Sequence, residues 1–510
     1  MPTSLSLDQL SRDIAEGRID TVVVAFTDMQ GRLQAKFIHA PFFLSEVVGH
    51  GAEGCNYLLA VDIDMNTVAG YDVSSWDTGY GDMLMRCDMS TLRYTTWRPG
   101  SALVIADLLD HHDAGISVSP RQVLQRQLSA LKDMGMIALC GTELEFIVFE
   151  DTYEDAWDNH YLGMTPANRY NVDYSMIGSA RVEPLLRDIR LAMDAAGMTV
   201  ESAKGECNFG QHEIAFRYSD AQTTCDNHVI YKTGAKEIAS QHGKSLTFMA
   251  KYNEREGNSC HIHLSFRSLN DELVMADSTD TEHGMSDLGR QFIAGQIAHM
   301  RELTMLYAPN INSYKRYQPG TFAPTAIKWG RDNRTCAFRL VGHGPSLRLE
   351  NRVPGGDVNP YLAVAGIIAA GIDGINKKMA LEPAFGGNAY AANAERVPTT
   401  LAEARELWVH SAWVREAFGY SFPEWNRDRE VPRCDESGDA VRAAFGPEHH
   451  VRGGWEHVAL RHERCLRVVP EDRDTACDLT LGFGDRFSHF THREHGNVVG
   501  PRRQRFACCM

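Results

Sequence analysis

The stretch GTELEFIVFE, residues 141–150, decides how the rest of the chain is read. Its apolar and aromatic residues predict a buried strand, yet Glu143 and Glu145 stand two apart inside it. Residues i and i+2 of a strand point to the same face. Two carboxylates side by side repel each other, so the face is either open to water or lines a cavity that holds cations. One such strand alone is ordinarily the solvated face of a sheet. The reading therefore turns on whether other segments repeat the pattern.

They do. GECNFGQHEIAF (205–216) supplies Glu206 and Glu213, and HIHLSF (261–266) places His261, His263 and Ser265 on one face. RLENR (348–352) does the same for Arg348, Glu350 and Arg352. Taken singly, a histidine pair is commonly packed or exposed, and an Arg-Glu-Arg strand is commonly a surface ion-pair ladder of little energetic weight. Taken together, five glutamates and a histidine in one cavity require cations. Two divalent ions with about three protein ligands each would neutralise them. Oxygen-rich ligand sets suit Mg²⁺ or Mn²⁺ better than zinc. Arg316, Arg331, Arg334, Arg339, Arg348 and Arg352 follow within 37 residues. Arginine grips carboxylate and phosphate with two prongs and keeps its charge. Arginines beside two hard cations are the requirement of phosphoryl transfer.

Composition is compatible with this and excludes other classes. The 510 residues are ordinary for a multi-domain globular protein, at 43% hydrophobic and 23% charged. A net charge of −16 argues against a nucleic-acid surface. The apolar run YLAVAGIIAAGI (361–372) is too short to span a bilayer and predicts a buried helix, so no membrane partner is expected. MPTSLSLDQLSRDIAEG carries no secretory signal pattern, and the twelve cysteines show no paired CxxC spacing; reduced thiols and a cytoplasmic location are expected. HGKS (242–245) lacks the first glycine of a Walker loop, because Ile238 stands there.

Along the chain, TVVVAF (21–26) and RLQAKFI (32–38) flank the turn TDMQG, and ALVIADLL (102–109) reads as a further strand. Ser119-Pro120 opens a helix, with Ser119 expected as its cap. Asn359 is expected to cap the helix beginning at Pro360. Three regions result: a small β-rich domain over 15–112, a larger mixed domain over 115–419, and a tail over 420–510. From Tyr420 onward the chain has 14 Arg, no Lys, seven His and five Cys, and poor periodicity predicts little order there.

Several blocks in order resemble the glutamine synthetase superfamily: GDMLMRCDMSTLR, GTELEFIVF, KGECNFGQHEIAF, GNSCHIHLSF, NSYKRYQPGTFAPTAIKWGRDNRTCAFRL and LRLENRVPGGDVNPYLAVAGIIAAGIDGI. The resemblance covers roughly residues 20–419. It implies an α+β fold, with a β-grasp N-terminal domain and a catalytic domain built on a curved antiparallel sheet. It also implies stacked homo-oligomeric rings, a dodecamer, with each active site between neighbouring subunits. By motif position Glu145, Glu206 and Glu213 would hold a first metal near substrate glutamate. Glu143, His261 and Glu350 would hold a second near the ATP phosphates. Arg316 and Arg352 resemble the residues that grip glutamate and the transferred phosphoryl group, and Gly257 lies in the glutamate loop. Arg334, Arg339 and Arg348 resemble ATP-phosphate contacts; Glu201, His263 and Ser265 match nucleotide-side positions. The reaction implied is ATP-dependent amide formation on the glutamate side chain through a γ-glutamyl phosphate.

The flap PGTFAP (319–324) departs from the pattern. Ammonia-using members carry a glutamate where this chain has Phe322, and the aspartate that binds ammonium has only a loose counterpart, Asp64, in AVDIDMN (60–66). An apolar wall favours an alkylamine, since its methylenes gain from burial. The blocks resemble most the γ-glutamylamine ligase branch, which uses polyamines or ethanolamine. The expected substrates are glutamate, ATP and a small organic amine. An ammonia-using enzyme and a non-catalytic oligomer are the alternatives. A second departure is Phe209, which replaces a proline and is expected to loosen the loop between Glu206 and Glu213.

Overall fold

The computed structural model describes residues 5–67, 73–76 and 78–418; the predicted tail from 420 lies outside the described residues. The first sheet contains β1 (Thr21–Thr27), β2 (Leu33–His39), β3 (Ala52–Cys55), β4 (Asp82–Cys87), β5 (Arg93–Tyr94) and β6 (Ser101–Leu109). Its order is β2-β1-β6-β4-β3, with β5 on β6. The central pair β1–β6 is parallel and its flanking pairs are antiparallel. A helical stretch over 40–50 separates β2 from β3. This is the β-grasp arrangement, with the expected strands in place. Asp28 makes the TDMQG turn: its Oδ1 accepts from the backbone N–H groups of Gln30 (3.0 Å) and Arg32 (2.9 Å).

The second sheet contains β7 (Met136–Phe149), β8 (Val200–Gly205), β9 (Gln211–Phe216), β10 (Ser219–Asp220), β11 (Ser245–Thr247), β12 (Cys260–Ser268), β13 (Trp329–Arg331), β14 (Phe338–Val341) and β15 (Arg348–Asn351). Its order is β13-β14-β15-β12-β7-β9-β8, with β10 and β11 on β7. Every pairing is antiparallel except β13–β14, which is parallel, so the expected antiparallel sheet is mixed at one edge. The polar turn 332–337 between these strands returns the chain to a parallel neighbour, a connection that periodicity does not reveal.

Period two divides this sheet cleanly. Cys140, Leu144, Phe146 and Val148 of β7, Ile262, Leu264 and Phe266 of β12, Ile214 of β9 and Leu349 of β15 all enter one core. Helices Pro120–Asp133, Ala221–Gln241, Asp287–Tyr307 and Pro360–Asn376 are among the elements that complete that core. Alternate residues of the same strands face the other way, and these carry the chemistry. The helices Asp287–Tyr307 and Pro360–Asn376 cross at Gly295 and Gly374, where a Cβ would collide with the backbone of Ala370 or Gln291. Among the described residues no helix is long and apolar enough to cross a membrane.

Asn359 caps as expected: its Oδ1 accepts from Tyr361 N (3.1 Å) while its Nδ2 donates to the carbonyls of Asp28 and Met29 (3.2 Å each). One side chain thus starts a helix and clasps the β1–β2 turn. Ser119 does not cap with its side chain, contrary to expectation; its carbonyl accepts from Val123 N (2.9 Å), and Pro120 sets the first turn. A charge cluster centred on buried Arg121 ties the first sheet to the helices that cover the second. Arg121 donates to Asp107 on β6 (2.6 Å), to Asp88 (2.7 Å) and to Asp226 (2.9 and 3.0 Å), which also accepts from the Tyr361 hydroxyl (2.6 Å). Breaking such a buried pair costs about 3–5 kcal/mol, because one charge is left uncompensated.

Candidate active site

The sheet register builds the site. His261 lies opposite Glu143, and Glu145 lies opposite Glu213. Glu350 stands between His263 on one side and Arg339 on the other. Directly paired residues have Cβ atoms about 5 Å apart, within side-chain reach. Two trios result. Glu143, His261 and Glu350 each offer a ligand atom, all within 4.8 Å of one another, and Glu145, Glu206 and Glu213 do the same. These are the six residues and the grouping expected from the sequence.

The two trios differ in their surroundings. His261 Nδ1 is 3.3 Å from Glu143 and 3.6 Å from Glu350, and His263 Nε2 is 2.9 Å from Glu143. Arg339 donates to Glu350 (2.9 Å), and Arg352 pairs with the other oxygen. Burial works to raise the carboxyls of Glu143 and Glu350. The facing imidazoles, with Arg352 beside Glu350, outweigh it and hold both below the usual range. Burial, and then the Arg352 charge, push His261 down to about 4. A neutral imidazole is a competent metal ligand, and its Nε2 is buried with no hydrogen-bond partner among the described residues.

In the other trio burial raises Glu145 to about 7, with Glu206 the next cause, while Ser259 N (2.7 Å) and Gln211 Nε2 (3.2 Å) donate to it. Burial raises Glu213 well above the ordinary value, and raises Glu206 against the pull of Lys204. Three acids driven together and toward protonation form a donor set that a hard divalent cation fits.

The remaining predicted residues distribute unevenly. Arg316 is buried, donating to the carbonyls of Val353 (2.7 Å) and Arg352 (3.2 Å) and to Ser259 Oγ (3.2 Å). Its Nε and that of Arg352 are buried and have no hydrogen-bond partner among the described residues. Gly257 packs on Arg316; a Cβ there would collide with the Ala250 carbonyl and the Arg316 side chain. Arg348 donates to His263 Nδ1 (3.2 Å), and Ser265 follows on the same strand face. Arg334 is exposed in the turn between β13 and β14. Arg331 instead binds the Gly342 carbonyl and His343.

Glu201 stands exposed at the β-bulge of edge strand β8, and no described contact brings it to the arginines. Asp64 is exposed in a loop held by Asp62, whose Oδ1 accepts from the N–H groups of Asp64 and Asn66 (2.9 Å each). Phe322 is 57% exposed with φ +58°, an unusual conformation for an aromatic residue. The loop after Glu206 is tied down on both sides of Phe209's backbone and ring. Asn208 bonds Asn253 and the Glu256 carbonyl, and Arg255 lies 4.2 Å above the Phe209 ring.

Sequence reasoning missed Lys204, Gln211 and Ser259. Gln211 Nε2 bridges Glu145, the Gly257 carbonyl (3.0 Å) and Asn258 Oδ1 (3.0 Å), locking the acid against the Gly257 loop. Lys204 lies opposite Glu213 and forms an ion pair with Glu206. Its signal was present as the Lys-x-Glu spacing before Glu206, in the same period two as the acids.

Residues 117–426 match the glutamine synthetase catalytic domain. The gamma-glutamylethanolamide synthetase GlnA4 of Streptomyces coelicolor is 62% identical over 415 residues, covering 81% of this chain and 89% of that protein. The glutamate–isopropylamine ligase of a Pseudomonas species is 31% identical over 433 residues, 84% and 94% of the two chains. Among solved structures, a GmaS/ADP complex superposes with a TM-score of 0.71 at 26% identity, covering 86% of this chain and 93% of that one.

Proposed function

We propose that this chain, which belongs to the glutamine synthetase family, joins glutamate to ethanolamine or a similar short alkylamine at the expense of ATP. The class of reaction, ATP-dependent glutamate–amine ligation, rests on the family and on the relatives just described. The observation that carries the assignment to this cavity is the pair of ligand trios on one sheet face, flanked by Arg316, Arg339, Arg348 and Arg352.

Two Mg²⁺ or Mn²⁺ ions, when bound, would neutralise the phosphates and the developing charge of transfer. Glu145, Glu206 and Glu213 would hold one ion, and Glu143, His261 and Glu350 the other. Arg339 and Arg348 would contact the nucleotide phosphates, a role supported by their place beside Glu350 and His263. Arg316 and Arg352, whose Nε–H groups have no partner among the described residues, are the groups assigned to glutamate and to the phosphoryl group in flight. The γ-carboxylate oxygen attacks the γ-phosphorus of ATP, ADP departs, and a mixed anhydride forms. The neutral amine then adds to the activated carbonyl, loses a proton and expels phosphate.

Phe322 is the reason for an organic amine: an exposed apolar ring on the flap offers methylenes a surface and offers ammonium no acid. A cytoplasmic, ring-shaped homo-oligomer is part of the same proposal. The test is ADP release with glutamate and ammonium, ethanolamine, putrescine or spermine. Ethanolamine should give the highest kcat/KM, and a clear preference for ammonium would sink the assignment.

A further inference from the structure

Lys204 is not among the ligands, yet it is the positive side chain built into the more acidic trio. It faces Glu213 across the β8–β9 ladder and pairs with Glu206. Its Nζ also lies 5.1 Å from the centre of the Tyr174 ring, so the ammonium sits between a carboxylate and an aromatic face. Asp173 is next to that ring, and one of its oxygens lies within 4.8 Å of ligand atoms of Glu206 and Cys207. The other trio has guanidinium partners of its own, because Arg339 and Arg352 both pair with Glu350.

We infer that Lys204 is a tethered place-holder for the first metal: it balances the three carboxylates before the ion arrives, and yields Glu206 to the ion by withdrawing onto Tyr174 and Asp173. This rests on the metal reading above. The sign follows from charge. With the trio ionised, as in the metal-bound state, three carboxylates and one ammonium present about two negative charges to a divalent ion, whereas without the ammonium all three attract it. A residue that merely oriented Glu206 would do the opposite, since its removal would weaken the site. Asp173 enters as the receptacle. Neutralising it leaves the ammonium with Glu206 and makes metal entry harder, but only while Lys204 is present.

The experiment titrates the full-length protein with Mn²⁺ alone, reading free Mn²⁺ by electron paramagnetic resonance, for wild type, K204M, K204R, D173N and K204M/D173N. Glu213→Gln in each background identifies the first-trio sites. K204M should bind Mn²⁺ there about tenfold tighter, the scale of removing one neighbouring like charge. D173N should bind about threefold weaker, and its effect should vanish in the K204M background, a coupling that a double-mutant cycle isolates. K204R, which keeps the charge, should stay within about threefold of wild type. In chelator, K204M should melt below wild type and recover with Mn²⁺. Unchanged or weaker binding in K204M, or an equal D173N effect in both backgrounds, overturns the place-holder and leaves the metal reading standing. Absence of any Mn²⁺ binding lost in E213Q overturns both. If K204M does not fold, D173N against K204R carries the test, and D173N binding as tightly as wild type refutes the inference.

Discussion

Two clusters of three ligands lie side by side on one sheet, one of two glutamates and a histidine and the other of three glutamates, and they hold their charge in opposite ways. Around Glu143, His261 and Glu350 the imidazoles facing Glu143 and the guanidinium groups of Arg339 and Arg352 on Glu350 hold both carboxyls below the usual range. Around Glu145, Glu206 and Glu213 the charges of Lys204 and, toward Glu145, Arg316 do not outweigh burial and mutual repulsion, and these carboxyls are pushed upward. The difference teaches that a ligand set read from spacing says little about how it stands before metal arrives. One trio is prearranged as a charged site, and the other depends on an ion for its ionisation. The first can hold its shape empty; the second stores repulsion that binding releases.

The strongest way to break this contrast is Glu213→Gln. Ligase turnover should fall by about 10³-fold or more with loss of an ion. The metal-free protein should melt higher, by about 2 °C or more, because a repelling buried carboxylate is gone. Loss of both activity and metal-free stability would show instead that the acids support the fold. On the other side, Arg352→Lys gives up the two-pronged guanidinium beside Glu350. Activity should drop about 10²-fold with Mn²⁺ binding at the Glu145 trio unchanged, measured by ADP release and Mn²⁺ titration.

Phe322→Glu tests whether the flap sets the amine. Relative kcat/KM for ammonium over ethanolamine should rise about tenfold, and no change in that ratio would remove Phe322 from the amine site.

The smallest effect is a pH dependence in chelator. Glu145 keeps its proton up to about 7 in the folded chain, while its ordinary value is 4.5. The folded state therefore binds more protons between those values. Its stabilisation is present below 4.5 and lost as pH rises through about 7. Glu145→Gln mimics the protonated form. Its melting advantage over wild type should be near zero at pH 4.5 and grow to a few degrees by pH 7.5, then disappear with Mn²⁺ present.

Much of the site was legible because strands have a fixed period. Glu143-x-Glu145, His261-x-His263 and Arg348-x-Glu350-x-Arg352 declare their faces whatever packs beside them. Helix starts were less legible. Asn359 caps and Ser119 does not, because the same hydroxyl or amide can be spent on a local turn or a distant contact. Glu201 and Asp64 were placed by resemblance, and within this chain both stand exposed. Lys204 went unnoticed because a lysine in an acidic segment reads as surface charge until its cross-strand partner is known.

The sequence by itself determined the repertoire: which acids and imidazoles share a strand face, and that arginines follow them. Alternation of side chains is a local property of an extended backbone, so it needs no fold to be read. Only the tertiary structure decided the partition. The β7–β12 and β7–β9 registers set Glu143 against His261 and Glu145 against Glu213, and so separated one cavity into a self-compensated trio and a repelling one. Register is fixed by long-range packing of the opposite, apolar faces of those strands, and a slip of one residue would have turned every ligand into the core.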